Sequence, residues 1–306
     1  MITVCLPIYH SDVRPLVLGL HAQAAHSQEV IELLLIDDAS APPWQALNAE
    51  LASLPHLRYQ ELPHNVGRAR IRNLLAQAAS QPYLLFIDSD MSLLGDDFLA
   101  QYVAVAQQGH AVACGGHVYD PQVPARQRRL HWRYGMRRET PPLQQRQQQP
   151  HQAFKTSNFL IQRDLMRRLG FDERLRHYGH EDTLFGFRLA EAQIPIHHLD
   201  NPLRHDDVET NVVFVQKTEQ GLRNLVHIQQ TFDLPPAFAD SMLLLRMAQR
   251  LQRWRLQGLV SLAFGLGQGL WRRWLHSGYA SVTSFNLYKL GCYLRSFSQS
   301  QGNRAA

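Results

Sequence analysis

The sequence predicts an α/β protein: a mostly parallel, mixed sheet with helices on both faces, followed by a helical, basic and amphipathic C-terminal extension. Three observations predict it. Short apolar runs alternate with helical patterns from the first residues onward, as parallel strands joined by crossover helices require. Two of those runs, "LLLIDDAS" and "LLFIDSD", end in paired acids. The charge is also divided. Of 31 Lys and Arg and 26 Asp and Glu, residues 241–306 hold nine of the cations and none of the acids, leaving 22 and 26 in residues 1–240. The body is therefore mildly acidic, and the tail suits an anionic surface.

Each element follows in order. Met1 to Pro7 reads as a short buried strand, and residues 13–28 as a helix. Val30 to Ser40 is a second strand running into Asp37 and Asp38. "PPWQALNAELASL" opens on proline and repeats Trp44, Leu47 and Leu51 at helical spacing. "LRYQELP" is a third strand, "NVGRARIRNLLAQAAS" a glycine-containing turn entering a helix, and "PYLLFIDSD" a fourth strand. Residues 121–152, rich in Arg, Gln and Pro, keep no period. Their plain reading is a mobile surface loop; the sharper one is a loop over the site that contacts an anionic or sugar acceptor. "AFKTSNFLIQRDLMRRLGFDERL" gives a strand and a helix, and "GHEDTLFGFRLAEAQIPIHHLD" a loop, a helix and a strand. The expected division is a catalytic domain over residues 1–230 and a helical extension over 231–306.

The composition excludes several classes. Apolar residues make up 45% of 306, enough for a real core. Cys5, Cys114 and Cys292 form no CxxC or Cys/His cluster, so neither a disulfide framework nor a zinc site is expected, and a reducing compartment fits. The N-terminus lacks the pattern of a secretory signal, and no apolar run reaches a membrane span. A net-negative body argues against a nucleic-acid partner.

The chemistry lies at strand ends, where ligands bind in parallel sheets. Asp88 and Asp90 can reach a hard cation such as Mg²⁺ or Mn²⁺ together once the chain turns, although a lone DxD is often two solvated acids. Asp38 can accept hydrogen bonds from a ribose or a base. At the helix entrance, the amides near Gly67 with Arg68 or Arg72 can face a diphosphate, while Arg70 reads as a solvated cation. Glu181 and Asp182 open a helix, where an acid is often only a dipole partner. The functional alternative is a general base that deprotonates a sugar hydroxyl. His205, followed by two acids, is either structural or a further ligand for a Mn²⁺-type ion.

Together these segments resemble glycosyltransferase family 2, the inverting enzymes of the GT-A fold, over roughly residues 1–225 and in family order. "VCLPIYH", with Pro7 and Tyr9, looks like the opening strand and donor loop. "LLLIDDAS" looks like the nucleoside-binding strand end, "NVGRARIRN" is similar to the NxG…RN segment, and "FIDSD" to the DxD. "SNFLIQRDLMRRLGFDERL", with Ser157 and Asn158, resembles the acceptor-side segment, and "GHEDTLFGFRL" the ED motif of the bacterial chondroitin-polymerase and galactosyltransferase type. His180 departs from that type, which commonly has a second glycine there, on the acceptor side. The resemblance implies a UDP-sugar donor whose uracil or ribose Asp38 holds. It also implies a Mn²⁺ or Mg²⁺ ion on Asp90, with His205 as a further ligand and Asp88 toward the ribose or metal. Asp182 would then be the base, with Glu181 beside it binding the acceptor, a glycan or lipid-linked saccharide.

The tail carries its own pattern. In "SMLLLRMAQRLQRWRL", Arg246, Arg250 and Arg253 fall on one helical face and Leu244, Met247, Leu251 and Trp254 on the other. The apolar, glycine-rich stretch that follows ends in Trp271, Arg272, Arg273 and Trp274, residues suited to a membrane interface. Peripheral attachment through residues 241–306 at the cytoplasmic face of the inner membrane is expected, against packing on the catalytic domain or in a homo-oligomer. The competing functions are a sugar nucleotidyltransferase, whose glycine-rich, basic opening loop "LPIYHSDVRPL" lacks, and a non-catalytic membrane-associated binding protein on the same scaffold.

Overall fold

Residues 1–175 and 178–305 are described in a computed structural model of the chain. The order is β1 (Ile2–Ile8), α1 (Arg14–Ala25), β2 (Ile31–Asp37), α2 (Pro42–Ala49), β3 (Leu57–Glu61), α3 (Arg68–Ala78), β4 (Tyr83–Ile87), β5 (Met91–Ser92) and α4 (Phe98–Gln107). It continues through β6 (Val112–Cys114), β7 (His117–Tyr119), α5 (Arg129–Tyr134), α6 (Leu143–Gln148), β8 (Asn158–Gln162), α7 (Arg163–Leu169), α8 (Glu181–Glu191), β9 (His197–His198) and β10 (Leu203–His205). Five helices close the chain: α9 (Asn211–Thr231), α10 (Pro236–Ser241), α11 (Leu243–Arg253), α12 (Gln257–His276) and α13 (Val282–Ala305). These residues group into two units. One is Met1–Asp120 with Thr140–Arg176 and Glu181–Asp207; the other is Pro121–Glu139 with His177–His180 and Val208–Ala306.

In the first unit, strand alternation builds two cores at once. Ile2, Val4, Leu6 and Ile8 of β1 join Leu33 and Leu35 of β2 and Leu85 and Ile87 of β4 against α1 and α4. Cys5, Leu34, Ile36, Leu84 and Phe86 face the other way, onto Ile71 and Leu75 of α3, Leu165 of α7 and Phe185 of α8. Strands apolar on both sides therefore sit between two helical layers, as the sequence predicts. The sheet order is β3-β2-β1-β4-β8-β6-β9. β3, β2, β1 and β4 run parallel, β8 runs antiparallel to both β4 and β6, and β9 is parallel to β6. The chain moves outward from β1 in both directions, to β2 on one side and β4 on the other, and that switch point opens a crevice beyond the strand ends. A small second sheet, β5-β10-β7, pairs His205 with Met91 and Tyr119.

Residues 121–152 are not the irregular loop expected. They form a 3₁₀ turn at Arg126–Arg128, then α5, a π-helical turn at Gly135–Glu139, and α6. Buried anchors hold them: Leu130 in the second unit and Arg146 in the first. The Arg146 guanidinium donates to the carbonyls of Cys114 and Leu199 and so ties α6 to the strands of the first unit.

The second unit is helical. In its interior both carboxylate oxygens of Glu219 accept from the Arg272 guanidinium at 2.7 Å, and Oε1 also accepts the Tyr288 hydroxyl. Gly291 of α13 admits the ring of Phe264 from α12, since a Cβ there would fall 2.2 Å from that ring. In α11 the buried positions are Leu245 and Ala248, which leaves Met247 and Trp254 exposed alongside Arg246, Arg250 and Arg253. Among the described residues, no helix is long and apolar enough to cross a membrane.

Candidate active site

The loops at the switch point are tied together before any ligand arrives. After β1, the His10 amide donates to Ser40 Oγ, and Ser11 Oγ donates to the Ser89 carbonyl between the two acids that follow β4. Tyr9 is exposed and stacks on His10 at 4.0 Å, while Pro7 lies within β1. After β2, Asp37 Oδ1 accepts the Ser40 amide. The Asp38 carboxylate accepts the amides of Val66 at 2.6 Å and Gly67 at 3.0 Å. Burial raises the Asp38 pKa against the pull of those amides, and Asp37 raises it further. Asp38 thus shapes the turn into α3, where Gly67 adopts a φ of +85° that other residues rarely reach.

That turn delivers two cations. Arg72, fully buried, donates to Asp88 Oδ1 at 2.5 Å and lies 5.6 Å from the Phe171 ring centre. Arg68 is more exposed and lies 3.4 Å from Asp88 Oδ2 and 3.0 Å from Glu181 Oε1. Arg68 therefore bridges the end of β4 and the start of α8. Asp88, expected toward a ribose or metal, is held by the two arginines. Arg70 points away, 3.9 Å from Glu173.

Asp90 and His205, 115 residues apart in sequence, meet through the small sheet: Asp90 Oδ2 lies 3.3 Å from His205 Nε2. Burial would raise the Asp90 pKa, but the His205 hydrogen bond and the charges of His205 and Arg68 outweigh it and hold it below the usual carboxylate range. Asp90 Oδ1 is buried with no hydrogen-bond partner. Tyr119 stacks on the His205 ring at 5.1 Å. Among the described residues, no three His, Cys, Asp or Glu side chains are grouped to hold a metal ion by themselves.

At the head of α8, Glu181 is buried, and Asp182 accepts Lys155 Nζ at 2.8 Å and the Thr183 amide at 2.7 Å. Lys155 is the partner that sequence reasoning missed, because a single lysine ahead of a strand has no spacing to mark it. Ser157 is buried with its Oγ 3.5 Å from His117 Nδ1. Asn158, expected on the acceptor side, is 1% exposed, accepts the Tyr102 hydroxyl, and donates to the carbonyls of Gly116 and Asn201. Both donors are taken inside the fold. His180, with a φ of +68°, belongs to the second unit.

Known proteins share the fold. The family model described as Glycosyl transferase family 2 matches residues 3–170. An uncharacterized glycosyltransferase of Haemophilus influenzae is 28% identical over 118 residues, 38% of this chain and 46% of its own, so the chain spans about half that relative's length. The mannosyltransferase PcManGT of Pyrobaculum calidifontis, solved with GDP-Man and Mn²⁺, superposes with a TM-score of 0.59 at 13% identity, covering 100% of this chain and 88% of its own. Residues 1–349 of TarS from S. aureus do so at 0.54 and 15%, covering 99% and 91%, and the same fragment with UDP-GlcNAc at 0.51 and 14%, covering 99% and 92%. At these identities the likeness is one of fold.

Proposed function

The chain belongs to glycosyl transferase family 2, and from that premise we propose that it moves a sugar from a UDP-sugar, a UDP-hexose or UDP-N-acetylhexosamine, to a hydroxyl of a glycan or lipid-linked saccharide. The observation that carries this reading is the Asp90–His205 pair beside a bridging Arg68, at the point where the strand order reverses. A dinucleotide-sized anion is recognised there by amides and guanidinium groups.

The residues suit a divalent ion. Asp90 is ionised, offers a buried oxygen without a partner, and has an imidazole beside it. Two protein ligands are few, which fits Mn²⁺ or Mg²⁺ sharing its sphere with water and phosphate oxygens. When bound, the ion would neutralise charge that builds on the diphosphate as it leaves. Arg68 and Arg72 supply the fixed part of that stabilisation.

Asp182 is assigned as the base. Its carboxylate is oriented by Lys155 Nζ at 2.8 Å, and a carboxylate is the group type that accepts a proton from the acceptor hydroxyl. Glu181 beside it is engaged by Arg68, which favours a binding role. Attack by the acceptor oxygen as UDP departs is a single displacement, so an α-linked donor gives a β product. Residues 241–306 are assigned to a membrane surface, the cytoplasmic face of the inner membrane, where a lipid-linked acceptor is found.

The test is UDP release from a panel of UDP-sugars with Mn²⁺ or Mg²⁺, GDP-mannose being the control for nucleotide choice. Wild type hydrolyses one UDP-sugar slowly, and Asp90→Ala abolishes this. Asp182→Asn keeps donor binding and loses roughly 10²–10⁴-fold in transfer. Turnover that is unchanged in EDTA and in Asp90→Ala would remove the ion from the reading, and turnover of GDP-mannose alone would replace the donor.

A further inference from the structure

Helix α12 is built inside out. Its most exposed positions are Gly258, Leu259, Leu262, Ala263, Leu266, Gly269, Leu270, Arg273 and Trp274, so those before Arg273 are all glycine or apolar, while Gln257, Ser261, Gln268 and Arg272 are half-buried. Leu259, Leu262, Leu266 and Leu270 recur at helical spacing and are 66%, 65%, 84% and 73% exposed. Three polar residues of the same helix are engaged by neighbouring side chains. Gln257 donates to Ser298, Gln268 accepts from Arg295, and Arg272 pairs with Glu219. A water-facing helix shows the opposite pattern, with its leucines in the core. Four leucines on one stripe are also more than the scattered apolar residues a surface normally carries.

The surroundings identify what covers the stripe. Exposed Trp254 precedes it and Trp274 closes it, with Arg253 and Arg255 at one end and Arg273 at the other. The whole segment 241–306 carries nine cations and no acid. A second copy meeting this face through a two-fold axis would bring like charges together. An anionic bilayer offers the complementary charge and an apolar layer beneath it, and tryptophan suits its interface. No described helix is both long and apolar enough to span it.

We infer that α12 lies flat in the surface of an anionic phospholipid bilayer, with Leu259, Leu262, Leu266 and Leu270 in the acyl boundary and Trp254 and Trp274 at headgroup level. This rests on the membrane-surface reading of residues 241–306 and is independent of the sugar chemistry.

The experiment is flotation of the full chain with phosphatidylcholine vesicles, with and without about a third phosphatidylglycerol, an anionic fraction that attracts basic segments. Wild type floats with the anionic vesicles. The doubly substituted L266E/L270E, changed only at solvent-facing positions and checked by circular dichroism and thermal melting, loses roughly tenfold or more in vesicle affinity. It keeps wild-type UDP release measured without vesicles. Wild type that stays at the bottom of the gradient overturns the membrane reading itself. Wild type and variant floating alike would keep that reading and overturn the role of α12. A wild-type dimer by light scattering that L266E/L270E converts to monomer, with no flotation by either, would assign the face to a second copy instead. UDP release in solution reports the transfer reading separately from all three.

Discussion

Asn158 shows how a motif residue can be tied into the fold. Its amide joins β8 to Tyr102 of α4 and to the carbonyls of Gly116 and Asn201, and so fixes the strand end that carries Ser157. Asn158→Ala removes three hydrogen bonds to Tyr102, Gly116 and Asn201 and is expected to cost about 3 kcal/mol, read as a lower denaturant midpoint. Motif spacing made Asp90, Glu181 and Asp182 legible in the sequence, because acids in such positions need a reason. It did not distinguish Asn158 as a ligand from Asn158 as a brace, since that depends on burial, which spacing does not encode. Asp172 is a second residue whose role lies in its partners. Hydrogen bonds from Arg174, then Arg188, outweigh burial and hold its pKa well below the usual carboxylate range. A depressed folded pKa contributes stability above the unfolded value, near 4, and that stability is lost as pH falls. Wild type should therefore lose melting temperature steeply below about pH 4. Asp172→Asn should start lower at pH 7, by about 2 kcal/mol, and fall less on acidification.

Elements differ in how plainly the sequence announces them. β1, β2 and β4 are runs of five to seven residues bounded by turns, and their period and endings are visible. β5, β7 and β10 have two or three residues each, too few for any period, and exist because they pair with one another. That small sheet brings His205 to Asp90, so the pairing of the two was beyond local pattern. Residues 121–152 misled for a different reason: Arg and Gln are good helix formers, and the stretch has too few apolar residues to show a stripe. In the second unit, α12 and α13 depend on a close approach at Gly291. Gly291→Ala places a Cβ against the Phe264 ring and is expected to destabilise the helical unit by about 1–3 kcal/mol, measured by denaturant unfolding followed through tryptophan fluorescence.

At the scale of the molecule, the division of charge between residues 1–240 and 241–306 sets the response to salt. Raising ionic strength from about 0.1 to 1 M shortens the screening length from about 10 to 3 Å. Vesicle affinity should fall severalfold, while UDP release, which relies on short buried contacts, should change little; flotation and nucleotide release on the same samples check both. The parallel sheet and the acid-tipped strands were readable at this scale, because both follow from the order of runs along the chain. The grouping of residues 121–139 with the C-terminal helices was not, since it depends on buried Leu130 and Asn211 rather than on sequence proximity. The pairing of β5 with β10 has one more consequence, for the protein during its synthesis. Residues 91 and 92 wait for residues 204 and 205, and β4 waits for β8. At about 5–20 residues per second, a ribosome supplies the missing strand only several seconds after Asp90 has emerged. Until then the nascent chain holds Asp90 without His205 and β4 without its antiparallel neighbour, so the two halves of this cluster meet only late in synthesis.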